Sequence, residues 1–431
     1  GVHLDLHSFP TRRSSDLTII YLLFNDLIKF NPNTKKMKTF MLATIFTLSS
    51  FVVAGQKTKT KEYAAVDKLA LSLPDSLTNT TDEIAALIAA NFTSESDKAR
   101  AIFIWVASNI QYDIDNMFAF NFNETSEDKI VKTLKTKKGV CDDYALLFTE
   151  ISKKTGIKSF VIEGYTKQTG FSDYLAHAWS ASFIDSSWYL FDPTWGSGYI
   201  NGEKFVRLIN NDYYKVSPAS LISTHIPFDY LWQFLNYPIT NQEFYEGKTQ
   251  TNTSKPYFNY IDSLASYENM DDIEKAIASA YRIEKNGVRN SLVFEKLHRL
   301  KLEIENDRQN KAVNLYNSAI NDYNAGINKF NDFIYYRNKQ FTPAKSDPEI
   351  QKMLDEPEEK MKQASQKLGQ IENPDTNMQE MIQEISQSIN EANQYINEQQ
   401  KWLKEYFSKS KFMRKSMFYD TKVTWFGIPL N

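Results

Sequence analysis

One cysteine, Cys141, occurs in 431 residues. A single thiol cannot close an intrachain disulfide, and no second cysteine is present to resolve an oxidised first, which argues against a thiol redox protein. Charge of one sign is also lacking. The formal net charge is −3, so general electrostatic binding of nucleic acid has no support. No His, Cys, Asp or Glu spacing matches a zinc site or an EF-hand loop, so no metal and no cofactor is expected. There is no internal repeat of solenoid type. Beyond the first 55 residues no apolar run is long enough for a membrane helix. What the chain does have is apolar material for sizeable cores, 42% hydrophobic and 14% aromatic, over a length that suits two or three domains.

The N-terminal segment reads as processing sequence and not as fold. Residues 1–36 are expected to be non-native or upstream, because the stretch up to Leu17 resembles a translated sequencing adaptor. From Met37 the pattern is that of a secretory signal over 37–55. Lys35, Lys36 and Lys38 give positive charge, residues 40–53 an apolar core, and Val53-Ala54-Gly55 a small-residue cleavage site. A secreted or periplasmic location is the expectation. A free thiol in an exported protein is buried and inert, paired between chains, or reactive.

The surroundings of Cys141 favour reactive. Lys138-Gly139-Val140 forms a glycine-marked turn, and Tyr144, Leu147, Phe148 and Ile151 then follow at helical spacing. The sulfur therefore stands at a helix N-terminus, where unpaired N–H groups and the macrodipole favour a thiolate. Asp142 and Asp143 help the helix and oppose the thiolate. Upstream, residues 97–112 predict a helix with Ile102, Trp105, Val106, Asn109 and Ile110 on one face, with Trp105 read first as core. Downstream, alternation predicts strands over 158–166, 177–184 and 187–191, with Asp185-Ser186 as a tight hairpin turn. With that two-residue loop, Trp179 opposes Asp192 and His177 opposes Thr194. His177 and Asp192 are then diagonal neighbours on one face, roughly 7–8 Å apart at the backbone. A three-residue loop would put them on opposite faces.

A first domain is placed at 56–247, followed by a linker with short helices at 248–307. Residues 308–431 carry three seams with steps of three and four: Val313 to Ile334, Ile350 to Ile371, and Met378 to Leu403. Pro-containing breaks join them. This predicts an antiparallel coiled-coil bundle, serving as a folding module or as a surface for a protein partner. Trp425 to Leu430 is apolar enough to dock elsewhere on the fold. His225 and His298 are read as structural and surface residues.

Three blocks, Gly139-Val140-Cys141-Asp142-Asp143-Tyr144-Ala145, His177-Ala178-Trp179 and Asp192-Pro193-Thr194-Trp195, resemble the transglutaminase-like cysteine superfamily, in particular its bacterial secreted and kyphoscoliosis-peptidase-type branch. They occur in that order, 36 residues from Cys141 to His177 and then 15 to Asp192. The resemblance implies an α+β, papain-like transglutaminase core ahead of the all-α bundle. It implies Cys141 as nucleophile, His177 as base and Asp192 as orienter, acting on peptide or amide bonds through a thioester. The Cys141 N–H and one further donor would meet the oxyanion, with Tyr112, Gln111 and Trp105 as candidates. Trp179 and Trp195 are candidates for the substrate groove, although core packing suits them as well. The partner implied is a protein or peptide substrate. Hydrolysis and transfer to an amine remain open, as does a catalytically silent scaffold that binds cell-envelope partners through its bundle.

Overall fold

The computed structural model describes residues 62–117, 124–167 and 174–419. The adaptor-like and signal-like segments and the apolar run at 425–430 lie outside them. The chain divides into two compact units, 1–68 and 69–431. The second holds the sheet, the cysteine and the helical bundle.

Two capped helices open this unit. In α1 (Thr81–Asn91) the Thr80 hydroxyl accepts from the Glu83 N–H, and the Glu83 carboxylate reaches back to the Thr80 N–H. In α2 (Glu95–Asn109) Ser94 accepts from the Asp97 N–H. α2 stops three residues short of the expected Tyr112. Gln111 and Tyr112 instead form β1, which pairs parallel with β2 (Lys138–Gly139) after α3 (Ser126–Thr136). That pairing sets Tyr112 opposite Gly139, two residues from the cysteine. Helix α4 (Cys141–Lys154) follows, and Gly156 at φ 89° closes its end.

The main sheet has strand order β5-β4-β3-β8. β3 is Ser159–Lys167, β4 Tyr174–Ile184, β5 Ser187–Phe191 and β8 His225–Pro227. Asp185 and Ser186 both have positive φ, 51° and 63°, the conformation that a two-residue hairpin turn requires. Ile184 pairs with Ser187 and Ser180 with Phe191, the register expected from the sequence. α4 lies on this sheet, with the Ser180 hydroxyl donating to the Ala145 carbonyl and Thr149 donating to Ser180. Beyond β5 come α5 (Pro193–Ser197) and a hairpin of β6 (Gly198–Asn201) and β7 (Lys204–Arg207).

Gly164 is the point of closest approach within the sheet. It sits on β3 opposite both His177 of β4 and Pro227 of β8. A Cβ there would lie 2.2 Å from the Ile226 carbonyl oxygen, 2.6 Å from the Trp179 ring and 2.8 Å from the Pro227 Cα. Two of these neighbours are backbone and cannot swing away. Gly164→Ala is therefore expected to force β8 off the sheet and destabilise the fold by about 1–3 kcal/mol. A urea midpoint unchanged from wild type would contradict this.

The C-terminal half is helical: α6 (Tyr260–Glu268), α7 (Asp272–Asn286), α8 (Ser291–Asn338), α9 (Asp347–Gly369) and α10 (Thr376–Ser408). The break expected near residue 307 is absent. α8 is one helix of 48 residues, about 72 Å long at about 1.5 Å per residue. Its polar stretch from Asn306 to Lys311 has no apolar face to signal helix, but also no glycine or proline to stop one. The last three helices run antiparallel. Asp322 of α8 binds Lys360 and Lys367 of α9, and Gln400 of α10 binds Glu358 of α9. Their shared core includes Phe330, Phe333, Leu354, Met361, Ile389, Ile396 and Leu403. Pro357 lies inside α9 and is buried. The bidentate pair of Arg282 (α7) and Asp229, both buried, joins the helices to the sheet domain. No helix among the described residues is long and apolar enough to cross a membrane.

Candidate active site

The thiol-bearing turn is built by two close approaches. Gly139 is buried, and a Cβ on it would press to 2.7 Å from the Asp143 Cβ. Asp143 is drawn in because its carboxylate accepts the Val140 N–H at 2.8 Å, capping α4. Burial raises the Asp143 pKa, and that backbone hydrogen bond works against the rise. Asp142 is turned to the Lys129 amine of α3. Both acids that follow the thiol are thus engaged with other groups. Cys141 itself is half-buried, the first residue of α4.

His177 and Asp192 come together as the hairpin register requires. His177 Nε2 lies 2.8 Å from Asp192 Oδ2, and Cys141 is among the groups that raise its pKa. Asp192 is fully buried. Its Oδ1 caps α5, accepting the Thr194 N–H at 2.9 Å and the Trp195 N–H at 3.1 Å. Burial alone would make both groups neutral. Against it, the Asp192 charge and hydrogen bond raise His177 to about 10, with a smaller contribution from Cys141. In turn His177, followed by His225, holds the Asp192 carboxyl well below the usual carboxylate range. The pair is an imidazolium and a carboxylate.

This has a consequence for stability. An unfolded imidazole releases its proton near 6.5, whereas folded His177 keeps it to about 10. The contribution of His177 is fully present below about 6.5 and falls as pH rises, by at most about 1.4 kcal/mol per unit, until it is lost above about 10. Urea midpoints at pH 6.5 and 9 should differ more in wild type than in His177→Gln. Equal pH slopes would contradict the ion pair.

The other candidates divide. Tyr112 is half-buried, with its ring 6.5 Å from both Tyr144 and Phe205. Burial, then the charges of Cys141, Tyr144 and Asp192, push its hydroxyl well above the usual range, so it stays protonated and able to donate. Trp195 is half-buried, its ring 5.4 Å from His177. Trp179 stacks 6.2 Å from His177 but is fully buried with Ile162, Ala181 and Leu190. That is a place in the core and not in a groove wall. Trp105 is buried in α2 beneath the Lys137 amine, 5.1 Å from its ring. Gln111 is exposed on β1. His298 is exposed on α8.

His225, read from sequence as structural, touches the same carboxylate. Its Nε2 is 3.1 Å from Asp192 Oδ2. His177, Asp192 and His225 thus form a buried cluster of residues able to ligate a metal, which their sequence spacing does not betray. Separations of 2.8 and 3.1 Å are hydrogen-bond distances, and the second Asp192 oxygen is taken by two backbone N–H groups. The set reads as a hydrogen-bonded relay.

Part of the chain is similar to known proteins. A model of the transglutaminase-like superfamily matches residues 82–193, about a quarter of the chain. Kyphoscoliosis peptidase of Mus musculus is 35% identical over 159 residues, covering 35% of this chain and 24% of that protein. Kyphoscoliosis peptidase of Homo sapiens is 34% identical over 171 residues, covering 38% and 25%. The chain thus spans about a quarter of the length of these relatives. A crystal structure of a TGase is 20% identical over 38% of this chain and 40% of that one, with a TM-score of 0.22. Cys141, His177 and Asp192 all lie inside the matched segment, and residues 82–193 are a domain of the transglutaminase-like superfamily.

Proposed function

We propose that the protein is an exported cysteine enzyme that cleaves or transfers peptide or amide acyl groups through a thioester at Cys141. The observation that carries this reading is the His177 ring held 2.8 Å from the buried Asp192 carboxylate, with Cys141 among the groups that raise its pKa. The Cys141 sulfur attacks the substrate carbonyl as a thiolate paired with the His177 imidazolium. His177 then gives its proton to the leaving amine and takes one from the incoming water or amine. Asp192 fixes the ring with Nε2 protonated, so that Nδ1 serves the sulfur. The Cys141 N–H and the Tyr112 hydroxyl are the proposed oxyanion donors, since β1–β2 pairing sets Tyr112 beside the cysteine turn.

Hydrolysis is the preferred outcome, because no device against water is evident among the described residues of the site. The signal-like segment at 37–55 supports export, and the bundle is proposed as a folding module. The test is mass spectrometry of casein incubated with the protein, with and without a biotinylated primary amine. Shortened peptides indicate hydrolysis and amine-tagged glutamine indicates transfer. No product in either mixture would favour the scaffold reading.

A further inference from the structure

The cluster holds one buried titratable group for which the triad chemistry has no use. β3 lies between β4 and β8, and on it Gly164 pairs with His177 while Thr166 pairs with His225. Residues two apart on a strand share a face, so both histidines rise from the same side of the sheet. Gly164 puts no side chain on that face, where the Trp179 ring packs against it, and the two imidazole rings approach to 5.4 Å between centroids. Both direct Nε2 at one atom, Asp192 Oδ2. On its other side His225 Nδ1 lies 2.7 Å from the Thr224 hydroxyl. The charged groups facing His225 are His177 of β4 and Asp192 after β5. Trp179, Trp195 and Tyr213 complete its surroundings, with rings at 5.2, 4.6 and 6.1 Å.

We propose that His225 is a neutral positioning residue that donates Nε2–H to Asp192 Oδ2, with the Thr224 hydroxyl fixing its tautomer. The inference rests on the proposed roles of Cys141, His177 and Asp192. Two adjacent imidazolium ions cannot both be supported by one buried carboxylate. Burial, with the charge of His177 added, lowers the His225 pKa, so the second ring is neutral. A neutral ring has one N–H. If that proton sat on Nδ1, Nε2 would turn a lone pair toward Asp192 and repel it. The proton therefore sits on Nε2, and Nδ1 accepts. Thr224 has one hydroxyl proton and two acceptors in reach, the Leu221 carbonyl at 3.3 Å and Nδ1 at 2.7 Å. The shorter contact takes it. Asp192 then accepts four hydrogen bonds, two on each oxygen, and its plane is fixed relative to His177.

The test is the pH profile of Cys141 alkylation by iodoacetamide in full-length protein. His225→Leu removes the donor and should lower the rate at pH 6 about tenfold, as the thiolate–imidazolium pair loses its oriented carboxylate. His225→Gln restores an N–H near the Nε2 position and should recover most of that loss. Thr224→Val releases the tautomer without touching Asp192 and should give about a threefold loss, which decides the matter if His225→Leu does not fold. Fast wild-type alkylation with His225→Leu and Thr224→Val profiles superimposed on it would overturn the role of His225 alone. Slow wild-type alkylation that is indifferent to His177→Ala would overturn the nucleophile reading, and this inference with it.

Discussion

Turnover of a protein substrate should fall about 10⁴-fold or more when Cys141 is replaced by Ala. The chain has no second cysteine, so no neighbouring thiol can supply residual covalent chemistry. The fold should tolerate the change. Cys141 is half-buried at the start of α4, and the helix cap is supplied by Asp143 on the Val140 N–H and not by the sulfur. An unchanged urea midpoint together with lost product would place the effect in chemistry. Retained turnover would move the reaction away from this thiol.

Asp192→Asn should cost about 10²–10⁴ in kcat/KM with a smaller effect on folding. An asparagine oxygen can still accept the Thr194 and Trp195 N–H groups, so the start of α5 survives. The side that faces the histidines changes in kind. An amide N–H₂ would meet two Nε2–H groups, donor against donor. His177 must then turn its lone pair to the amide and place its proton on Nδ1, toward the sulfur, which is the wrong tautomer for a base. The charge and hydrogen bond that raise His177 are removed together, and burial then pulls its pKa down. Kinetics across pH 6–9 checks this. Wild-type kcat/KM in Asp192→Asn would mean that the carboxylate only caps a helix.

The parts of the site that local chemistry encodes are legible in the amino-acid sequence. Gly139 ahead of an apolar helical pattern announces the thiol at a helix start. The alternation of 177–184 and 187–191 about Asp185-Ser186 sets a turn length, and turn length sets which face His177 and Asp192 share. His225 is not legible in that way. Its strand has three residues, ends in Pro227, and pairs with β3 only after a return of 58 residues along the chain from Lys167. Neither alternation nor a turn signal marks such a strand, because the edge of β3, and not local propensity, makes it one. The signal that could find it is Gly164, a glycine inside a strand pattern, which points to a close backbone approach. Tyr112 reads as helix for a related reason. Ile110 completes the helical face, and only pairing with Lys138-Gly139 draws the next two residues into a strand. The bundle shows the opposite error. The polar run at 306–311 lacks a seam and so reads as a boundary, although every residue in it is compatible with helix.

The proposed chemistry is tested most directly by the rate at which Cys141 is alkylated at pH 6 in wild type and in His177→Ala. An ordinary thiol with a pKa of about 8.5 is only about 0.3% ionised at that pH. A thiolate held by an imidazolium should therefore react about 10²-fold faster than a free cysteine peptide, and His177→Ala should bring it back to the peptide rate. A wild-type rate equal to that of the peptide, unaltered by His177→Ala, would contradict the pairing of sulfur and ring on which the enzymatic reading stands.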